Sequence, residues 1–346
     1  MIGAGATRGA SFVDPLRDPC LPPLDSDFFT QLQRIRNPKH KHLVDRVITD
    51  VVELFGQNFD VTMESVFTTL EHTIRMLQTT GDNRAFKKAE LIKKRVRLEQ
   101  AIAALLEESL TESMESGAAT HFRKQCKNHD ALVSDYFRCN DDIVSFNYDC
   151  ILDDSLKSNG SGKWNPRYGY GFELGPRGKH LTGDEHWCPT LPADKDTTLH
   201  LYKLHGSLHL QAATTTPKPR VHLKKHPYTK RHGNLNFTII PPEWHKAYDQ
   251  GIFTKLWKDA ATAVNKAREM VFIGYSLPPT DLHATALFRT AIGIGRLKSL
   301  VIVNPDREAR HRVRRVLSRG LNKSTRVHSV DRLDQFVAAS RDAWDI

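Results

Sequence analysis

Polar and ionisable side chains follow four short apolar segments, at the positions where β-strands would end. The segments IVSF, LYKL, VFI and VIV lead into Asn147-Tyr148-Asp149, His205-Gly206-Ser207, Gly274-Tyr275-Ser276 and Asn304-Pro305-Asp306. Ligands of open parallel sheets bind beyond the carboxyl ends of the strands. Together with a glycine-rich start of the chain, these four groups predict a single cleft for a nucleotide.

The first ten residues, MIGAGATRGA, supply that glycine-rich start. Gly3, Gly5 and Gly9 have the spacing of a loop that turns tightly beneath a phosphate. Such a loop normally follows a buried strand, but only Met1 and Ile2 precede the glycines. We therefore expect either a start internal to a longer reading frame, or a vacant central strand position. A vacancy would cost the neighbouring strands hydrogen bonds and weaken binding.

Strand and helix patterns alternate from about residue 142 onwards. This alternation predicts an α/β fold: a Rossmann-like parallel sheet with helices on both faces, formed by residues 1–38 and 138–346. Residues 39–137 predict an inserted all-helical subdomain, because their apolar side chains recur at three- and four-residue steps. The three expected apolar stripes are Leu43, Val47, Val51 and Leu54; Val66, Leu70, Ile74 and Leu77; and Leu91, Leu98, Ile102 and Leu105.

The composition is that of a globular protein, with 346 residues of which 39% are hydrophobic and 26% charged. No apolar run approaches the roughly 18 residues of a membrane span, and the start does not resemble a signal peptide. We therefore expect a cytoplasmic protein without membrane contact. The five cysteines form no CxxC pair and are odd in number, so we expect thiols rather than disulfides or a four-cysteine zinc site.

The net charge of +10 permits attraction to nucleic acid or to another polyanion. Part of this charge lies in a basic loop insert at residues 211–235, which has no core-forming period. Its candidate contacts are Lys218, Arg220, Lys224, Lys225, Lys230 and Arg231. The alternative is a solvated loop, which the scarcity of interleaved aromatic residues favours, since Tyr228 is the only one.

Five short motifs resemble the sirtuin NAD-binding domain in their order and spacing, and most closely the bacterial sirtuin-like NADases of antiphage defence. They are Gly3-Ala4-Gly5-Ala6, Ser145-Phe146-Asn147-Tyr148-Asp149, Leu204-His205-Gly206-Ser207, Gly274-Tyr275-Ser276-Leu277 and Val303-Asn304-Pro305-Asp306. The resemblance covers about residues 1–20 and 140–335. It implies NAD⁺ as the substrate and no metal.

The resemblance also implies a role for each matching position. His205 would be the catalytic histidine, Asn147 would orient the nicotinamide ribose or a water, and Asp149 would support the same pocket. An imidazole suits general-base work near neutral pH, and an amide fixes a water without adding charge. From the residues alone, a structural histidine and an asparagine that caps a strand end remain open alternatives.

The remaining matching positions would bind the dinucleotide. Gly3, Ala4 and Gly5 would let backbone amides approach the pyrophosphate, and Asp14 and Arg17 would close over the nicotinamide ribose. The other binding positions are Gly274 and Ser276 for the phosphates, and Asn304 and Asp306 for the adenosine ribose.

Sirtuin deacylases carry a four-cysteine zinc module, and a cysteine-free insert takes its expected place here. Water is therefore the favoured acceptor, and the expected products are ADP-ribose and nicotinamide. The alternatives are a non-catalytic NAD or ADP-ribose-binding module that scaffolds a complex, a sirtuin-type protein deacylase, and a basic DNA-binding protein.

Unregulated NAD⁺ hydrolysis would kill a cell, so the resemblance also implies a gate. We expect a homo-oligomer and a separately encoded partner, such as a HerA-type ATPase or a short Argonaute. Nucleic acid could reach the protein through the basic insert or through that partner.

Overall fold

The computed structural model describes residues 1–82, 85–112, 122–172, 174, 183–212, 221–225, 227, 237–242 and 251–346. Over these ranges the chain is a mixed α/β protein with small parallel and antiparallel sheets. Two short helices, α1 (Ala4–Arg8) and α2 (Phe28–Leu32), precede three long ones: α3 (Pro38–Phe55), α4 (Met63–Thr80) and α5 (Lys88–Leu110).

The long helices form where the apolar stripes predict them. Asn37 caps α3 ahead of Pro38, and the Thr62 hydroxyl caps α4. Gly56 and Gly81 follow these two helices with positive φ angles of 90° and 78°, which end the helical path at little steric cost. Most of the stripe side chains are buried, and Leu43 and Leu54 pack partly buried against the same core.

The helical block contains more than helices. Strands β1 (Thr111–Glu112) and β2 (Phe122–Arg123) form a short antiparallel pair, and α6 (Lys127–Ala131) follows them. Residues 39–137 are therefore not all-helical as expected, because they also contain this antiparallel strand pair. The core of the block also includes Phe28, Phe29 and Leu32, which come from before residue 39.

Towards the end of the chain, strands and helices alternate as the sequence predicts, but between residues 151 and 239 helices follow helices and strands follow strands. In order they are β3 (Asp142–Ser145), α7 (Ile151–Asn159), α8 (Pro166–Gly169), α9 (Gly183–Trp187), β4 (His200–Lys203), β5 (Gly206–Ser207), β6 (Leu210–Ala212), β7 (Val221–Leu223), β8 (Thr238–Ile239), α10 (Gly251–Lys266), β9 (Glu269–Ile273), α11 (Leu282–Ala291), β10 (Ser299–Val303), α12 (Arg307–Val316), β11 (Arg326–Val330) and α13 (Leu333–Ala338).

The central position of the parallel sheet is filled by residues 1–3, so the expectation of a vacancy is wrong. Strands β11, β10 and β9 pair in parallel, as do β3 and β4, and Ile2 bridges Ser145 on one side and Ile273 on the other. Backbone groups of Ile2 bond to β3 and its end (2.9 and 3.0 Å), while Met1 and Gly3 bond to Ile273 (2.8 and 3.0 Å). Because successive peptide groups point to opposite sides of a strand, three residues satisfy both neighbours. The resulting order is β11-β10-β9-(1–3)-β3-β4.

The segment 199–207, predicted as one alternating strand, forms two strands. β4 ends at Lys203 and β5 starts at Gly206, whose φ is +77°. β5 then pairs antiparallel with β8, and β6 pairs antiparallel with β7. The break turns the chain away from the parallel sheet directly at His205.

Several predictions concern the edges of the described ranges. The helix expected near 244–266 is α10, of which the described part begins at Gly251. In the basic insert, Lys218, Arg220, Tyr228, Lys230 and Arg231 lie outside the described residues. Lys224 is described and is half-buried, with its Nζ donating to the Pro227 carbonyl at 2.9 Å. Burial lowers the pKa of Lys224 to about 8.

None of the described helices combines the length and the apolar character that crossing a membrane requires. No disulfide joins any of the five cysteines, all of which lie in the described ranges, so the expectation of thiols is confirmed.

Candidate nucleotide cleft at the strand ends

The predicted side chains follow the carboxyl ends of the parallel strands, which all lie at the same end of the sheet. Asn147 follows β3, His205 follows β4, and Gly274 and Asn304 follow β9 and β10. Gly3 follows the bridging residue Ile2 between them. The parallel pairing of these strands puts their carboxyl ends on the same side, as the sequence predicts.

The glycines at this edge bring two backbone segments into contact. The Gly5 amide donates to the Gly274 carbonyl at 2.8 Å. A Cβ on Gly274 would lie 2.0 Å from the Ala6 nitrogen, and its φ is +61°, so only glycine fits there. A Cβ on Gly3 would lie 2.6 Å from the Tyr275 Cα. These contacts seat α1 on the end of β9, while Ala4, the first residue of α1, remains exposed.

Asn147 is held by a chain of hydrogen bonds that fixes which way its amide points. Its Nδ2 donates to the Gly3 carbonyl at 3.1 Å and to the Thr7 hydroxyl at 3.0 Å. The Gly3 carbonyl can only accept, so the nitrogen must face it. The Asn147 Oδ1 is buried, and no atom of the described residues bonds to it. An acceptor without a partner is thus left at the strand ends, suited to a hydroxyl or a water.

Thr7 and Asp149 complete that chain. The Thr7 hydroxyl donates to Asp149 Oδ2 at 2.7 Å, and Asp149 Oδ1 accepts the Ile151 amide at 3.0 Å. Asp149 is therefore linked to Asn147 through the Thr7 hydroxyl. Sequence reasoning missed Thr7, although its place in the first helical turn after the glycines marks it.

His205 is oriented by a carboxylate that the sequence analysis did not single out. Its Nε2 lies 3.5 Å from Asp281 Oδ2, and the same oxygen accepts the Tyr275 hydroxyl at 2.8 Å. Asp281 is itself fixed, because its Oδ1 accepts the Ala284 amide and caps α11. The Phe146 ring packs edge-to-face on the imidazole at 5.2 Å. A capping residue just before a predicted amphipathic helix is the signal that could have identified Asp281.

A buried polar network lies behind β4 and fixes the turn that carries Asn147. Lys203 Nζ donates to the Asp149 carbonyl at 2.6 Å and to Asp153 Oδ2 at 2.8 Å. Asp153 also accepts the Tyr170 hydroxyl at 2.6 Å and lies 3.3 Å from His209 Nε2. Burial opposes the ionisation of Asp153, but Lys203 and His209 outweigh it and lower the pKa of this carboxyl. The network is closed to solvent, so it positions the turn rather than taking part in chemistry.

A second buried pair lies beside the glycine loop. Cys126 Sγ is 3.0 Å from His129 Nδ1, and the neighbouring Asn128 donates to the Gly9 carbonyl at 3.2 Å. Burial disfavours the thiolate, but the hydrogen bond with His129 outweighs burial and lowers the pKa of Cys126 to about 7. The Cys126 thiol therefore lies at the start of α6, the helix that contacts the loop through Asn128.

Asp14 and Arg17 stand apart from this group. They pair with each other at 3.5 Å in an open turn, and the Arg17 side chain is 88% exposed. The Asp14 carboxylate also accepts the Leu16 amide at 2.9 Å. Within the described part of the chain, no hydrogen bond or ion pair of Asp14 or Arg17 reaches Asn147 or His205.

Asn304 and Asp306 have local structural partners. Asn304 Oδ1 accepts the Asp306 amide at 3.0 Å, and Asp306 Oδ1 caps α12 through the Glu308 amide at 2.8 Å. The Ser276 carbonyl accepts Arg312 Nε from the same helix at 3.2 Å. These bonds fix the ends of β9 and β10 relative to α12. They leave the ribose and phosphate contacts of these residues as predictions.

Among the described residues, no three His, Cys, Asp or Glu side chains are grouped as ligands for a metal ion. The sequence matches no known protein-family model and no curated protein. The geometry of the strand-end residues therefore carries the functional argument.

Proposed function

We propose that the protein is an NAD⁺ hydrolase that releases nicotinamide and ADP-ribose. The observation that carries the proposal is that Asn147 and His205 follow two neighbouring parallel strands. Ser145 pairs with Lys203 in the parallel ladder, so Asn147 and His205 leave neighbouring strands two residues later, at the same level. Asn147 offers a buried acceptor to which no described residue bonds, and His205 offers an imidazole that lies 3.5 Å from Asp281.

The strand order supports a Rossmann-like nucleotide cleft. Along the sheet, β3 and β4 lie on one side of residues 1–3, whereas β9, β10 and β11 lie on the other. This is the order of doubly wound dinucleotide-binding sheets, which bind their ligand where the strand order reverses. Here that point lies between residues 1–3 and β9, where Gly5 and Gly274 meet.

The chemistry assigns each group a task. Cleaving the bond between nicotinamide and ribose builds positive charge on the sugar, and the bonding electrons leave with nicotinamide. A water adds to the ribose carbon, and its proton passes to His205 as general base. The Asn147 Oδ1 would accept a hydrogen bond from that water or from a ribose hydroxyl, which fixes the attack geometry.

The resemblance to the antiphage sirtuin-like NADases extends this proposal to a biological role. In that role the protein would act as a defence effector that depletes cellular NAD⁺.

Nicotinamide release from NAD⁺, followed by chromatography, tests the proposal with three variants. We expect His205→Ala to lower the rate by about 10²–10⁴-fold, the range for loss of a general base. Asn147→Ala should also lower the rate, because the acceptor that fixes the attack geometry is lost. His42→Ala, at an exposed histidine on α3, is the matched control and should keep the wild-type rate. Release that is equal in all four proteins would contradict the assignment of the site.

One observation favours a second candidate, a binding module without catalysis. The Phe146 and Tyr275 rings stack at 4.0 Å, the Phe146 ring also packs on the His205 imidazole, and His205 as a residue is only 7% exposed. If these rings keep His205 covered, NAD⁺ or ADP-ribose would bind at the strand ends without the imidazole reaching an attacking water. Calorimetric binding of NAD⁺ with no nicotinamide release would establish this second function.

A further inference from the structure

A basic cavity lies on the far edge of the sheet, away from Asn147 and His205. It has a volume of about 270 Å³ and lies between α12 and the edge strand β11. Its lining consists of Arg307, Arg310, His311, Arg314 and Ser329. The four residues from α12 are spaced i, i+3, i+4 and i+7, which places them on one face of that helix.

The cations of this cavity are only partly neutralised. Arg310 pairs with Asp331, whose carboxylate is 63% exposed. Arg307 and His311 make no ion pair with any described residue. The cavity therefore has a surplus of positive charge that a bound anion would offset.

Arg314 offers a donor that is already oriented. One of its terminal nitrogens donates to the Ser329 hydroxyl at 2.9 Å, which fixes the guanidinium against β11. Its Nε is buried, and none of the residues that the structure describes accepts a hydrogen bond from it. A buried donor without an acceptor costs free energy that a ligand oxygen would recover.

The chemistry of the lining selects phosphate groups. Planar guanidinium groups bind phosphate through two parallel hydrogen bonds, and three of them line one cavity here. A single carboxylate would leave most of these donors unused. The volume falls below the roughly 300–1,000 Å³ of whole-ligand pockets, so it suits a chain of two or three phosphates rather than a complete dinucleotide.

We propose that this cavity binds the polyphosphate group of a small molecule, as free inorganic polyphosphate or as the phosphate tail of a nucleotide. Duplex nucleic acid fits less well, because its convex backbone presents single phosphates to a surface rather than a compact chain of them to a cavity. The proposal concerns residues outside the strand-end cleft and does not depend on NAD⁺ hydrolysis.

Calorimetric titration with inorganic tripolyphosphate at low salt tests the proposal. We expect Arg314→Gln and Arg307→Gln each to weaken binding by about tenfold or more, as for loss of a charged hydrogen bond. Arg315→Gln removes the same charge from an exposed position of α12 outside the cavity, and should leave the affinity unchanged. Arg307 is exposed and pairs with none of the described residues, so its variant keeps the test valid even if Arg314→Gln disturbs folding.

Further titrations distinguish the source of the phosphates. If ATP binds with the same variant dependence and adenosine does not bind, the site recognises the phosphate tail of a nucleotide. If only tripolyphosphate binds in this way, the ligand is inorganic polyphosphate. The proposal is overturned if neither binds, if all three variants weaken binding equally, or if a short DNA duplex alone shows the dependence on Arg314. Binding at the strand-end cleft would be insensitive to Arg314→Gln.

Discussion

At the residue scale, the cleft depends on a short chain of buried hydrogen bonds. Thr7 accepts from Asn147 and donates to Asp149, so one hydroxyl sets both the amide orientation and the carboxylate position. The second N–H of the Asn147 amide donates to the Gly3 carbonyl. The side-chain oxygen of Asn147 is therefore the group that remains for a ligand.

Replacing Thr7 with valine tests this chain without changing the shape of the side chain. We expect Thr7→Val to lower the free energy of unfolding by about 2 kcal/mol, because Asp149 and Asn147 each lose a buried partner. Thr7→Ser keeps the hydroxyl and should cost clearly less. Urea denaturation measures both variants, and a Thr7→Val protein that is as stable as wild type, or less destabilised than Thr7→Ser, would show that these hydrogen bonds do not stabilise the fold.

Single residues of the site were only partly predictable from the sequence. Asn147 and His205 are visible because each follows an apolar strand pattern directly. Thr7 bonds to Asp149, which is 142 positions away in the chain, and Asp281 lies beside His205, which is 76 positions away. No local sequence pattern indicates such contacts. Lys203 lies within an apparent strand, and its buried partner Asp153 lies in a helix 50 positions earlier.

At the element scale, α1 is seated on the end of β9 by backbone contact. The Gly5 amide bonds to the Gly274 carbonyl, and no side chain separates the two segments. The glycine spacing that predicts a phosphate loop is thus also what this packing requires. A phosphate-binding loop and the packing of α1 on β9 both require glycine at the same positions. Only an experiment can separate the two requirements.

Gly274→Ala, compared with Gly162→Ala, measures the value of that contact. Both glycines have positive φ angles, 61° and 72°, but a Cβ at Gly162 meets no atom within 4 Å. We expect Gly162→Ala to cost about 1 kcal/mol of stability for its backbone conformation alone. Gly274→Ala should cost at least about 3 kcal/mol, since α1 must also move. Equal losses in thermal or urea unfolding would refute the tight packing of α1 on β9.

The helical block is held together by an ion pair between α3 and α5. Asp50 accepts two hydrogen bonds from Arg97, at 2.6 and 2.8 Å, and one from Lys94 at 2.9 Å. Burial opposes the ionisation of Asp50, but these bonds outweigh it and lower its pKa below the usual 3.8. The pair therefore stabilises the fold at neutral pH.

We expect Asp50→Asn to lower the free energy of unfolding by about 3 kcal/mol at pH 7, as for breaking a buried ion pair. Because the folded-state pKa is lowered, this contribution is complete above the usual value and is lost as the pH falls through the folded value. The difference between wild type and variant should therefore shrink in urea denaturation below about pH 4. Glu90→Gln, which breaks the exposed pair of Glu90 with Lys93 on α5, serves as the control and should have little effect. A difference that persists unchanged in acid would contradict this account.

Most helices and strands were predictable from the sequence. The exceptions are segments that are too short to show a hydrophobic period. The helices α3, α4 and α5 each contain four or more regularly spaced apolar side chains, and their positions are confirmed. The central strand consists of residues 1–3, which is too short for any alternation to show. The split between β4 and β5 depends on the positive φ of Gly206, which the alternating pattern around it conceals.

At the scale of the whole molecule, two hydrophobic cores meet near the cleft. One core lies within the parallel sheet and its helices, and the other lies among α3, α4 and α5. Ile151 and Leu208, from the α/β part, join the helical core. Glu64 of α4 accepts a hydrogen bond from Thr280, the neighbour of Asp281. The helical block is thus in direct contact with the loop that orients His205.

The most direct test of the central claim is the hydrolysis of NAD⁺ by the full chain in water enriched in oxygen-18, with the products weighed by mass spectrometry. The account predicts nicotinamide and an ADP-ribose that carries one heavy oxygen on the ribose carbon. NAD⁺ that stays bound and intact, or a nicotinamide release that leaves no heavy oxygen in the product, would contradict it.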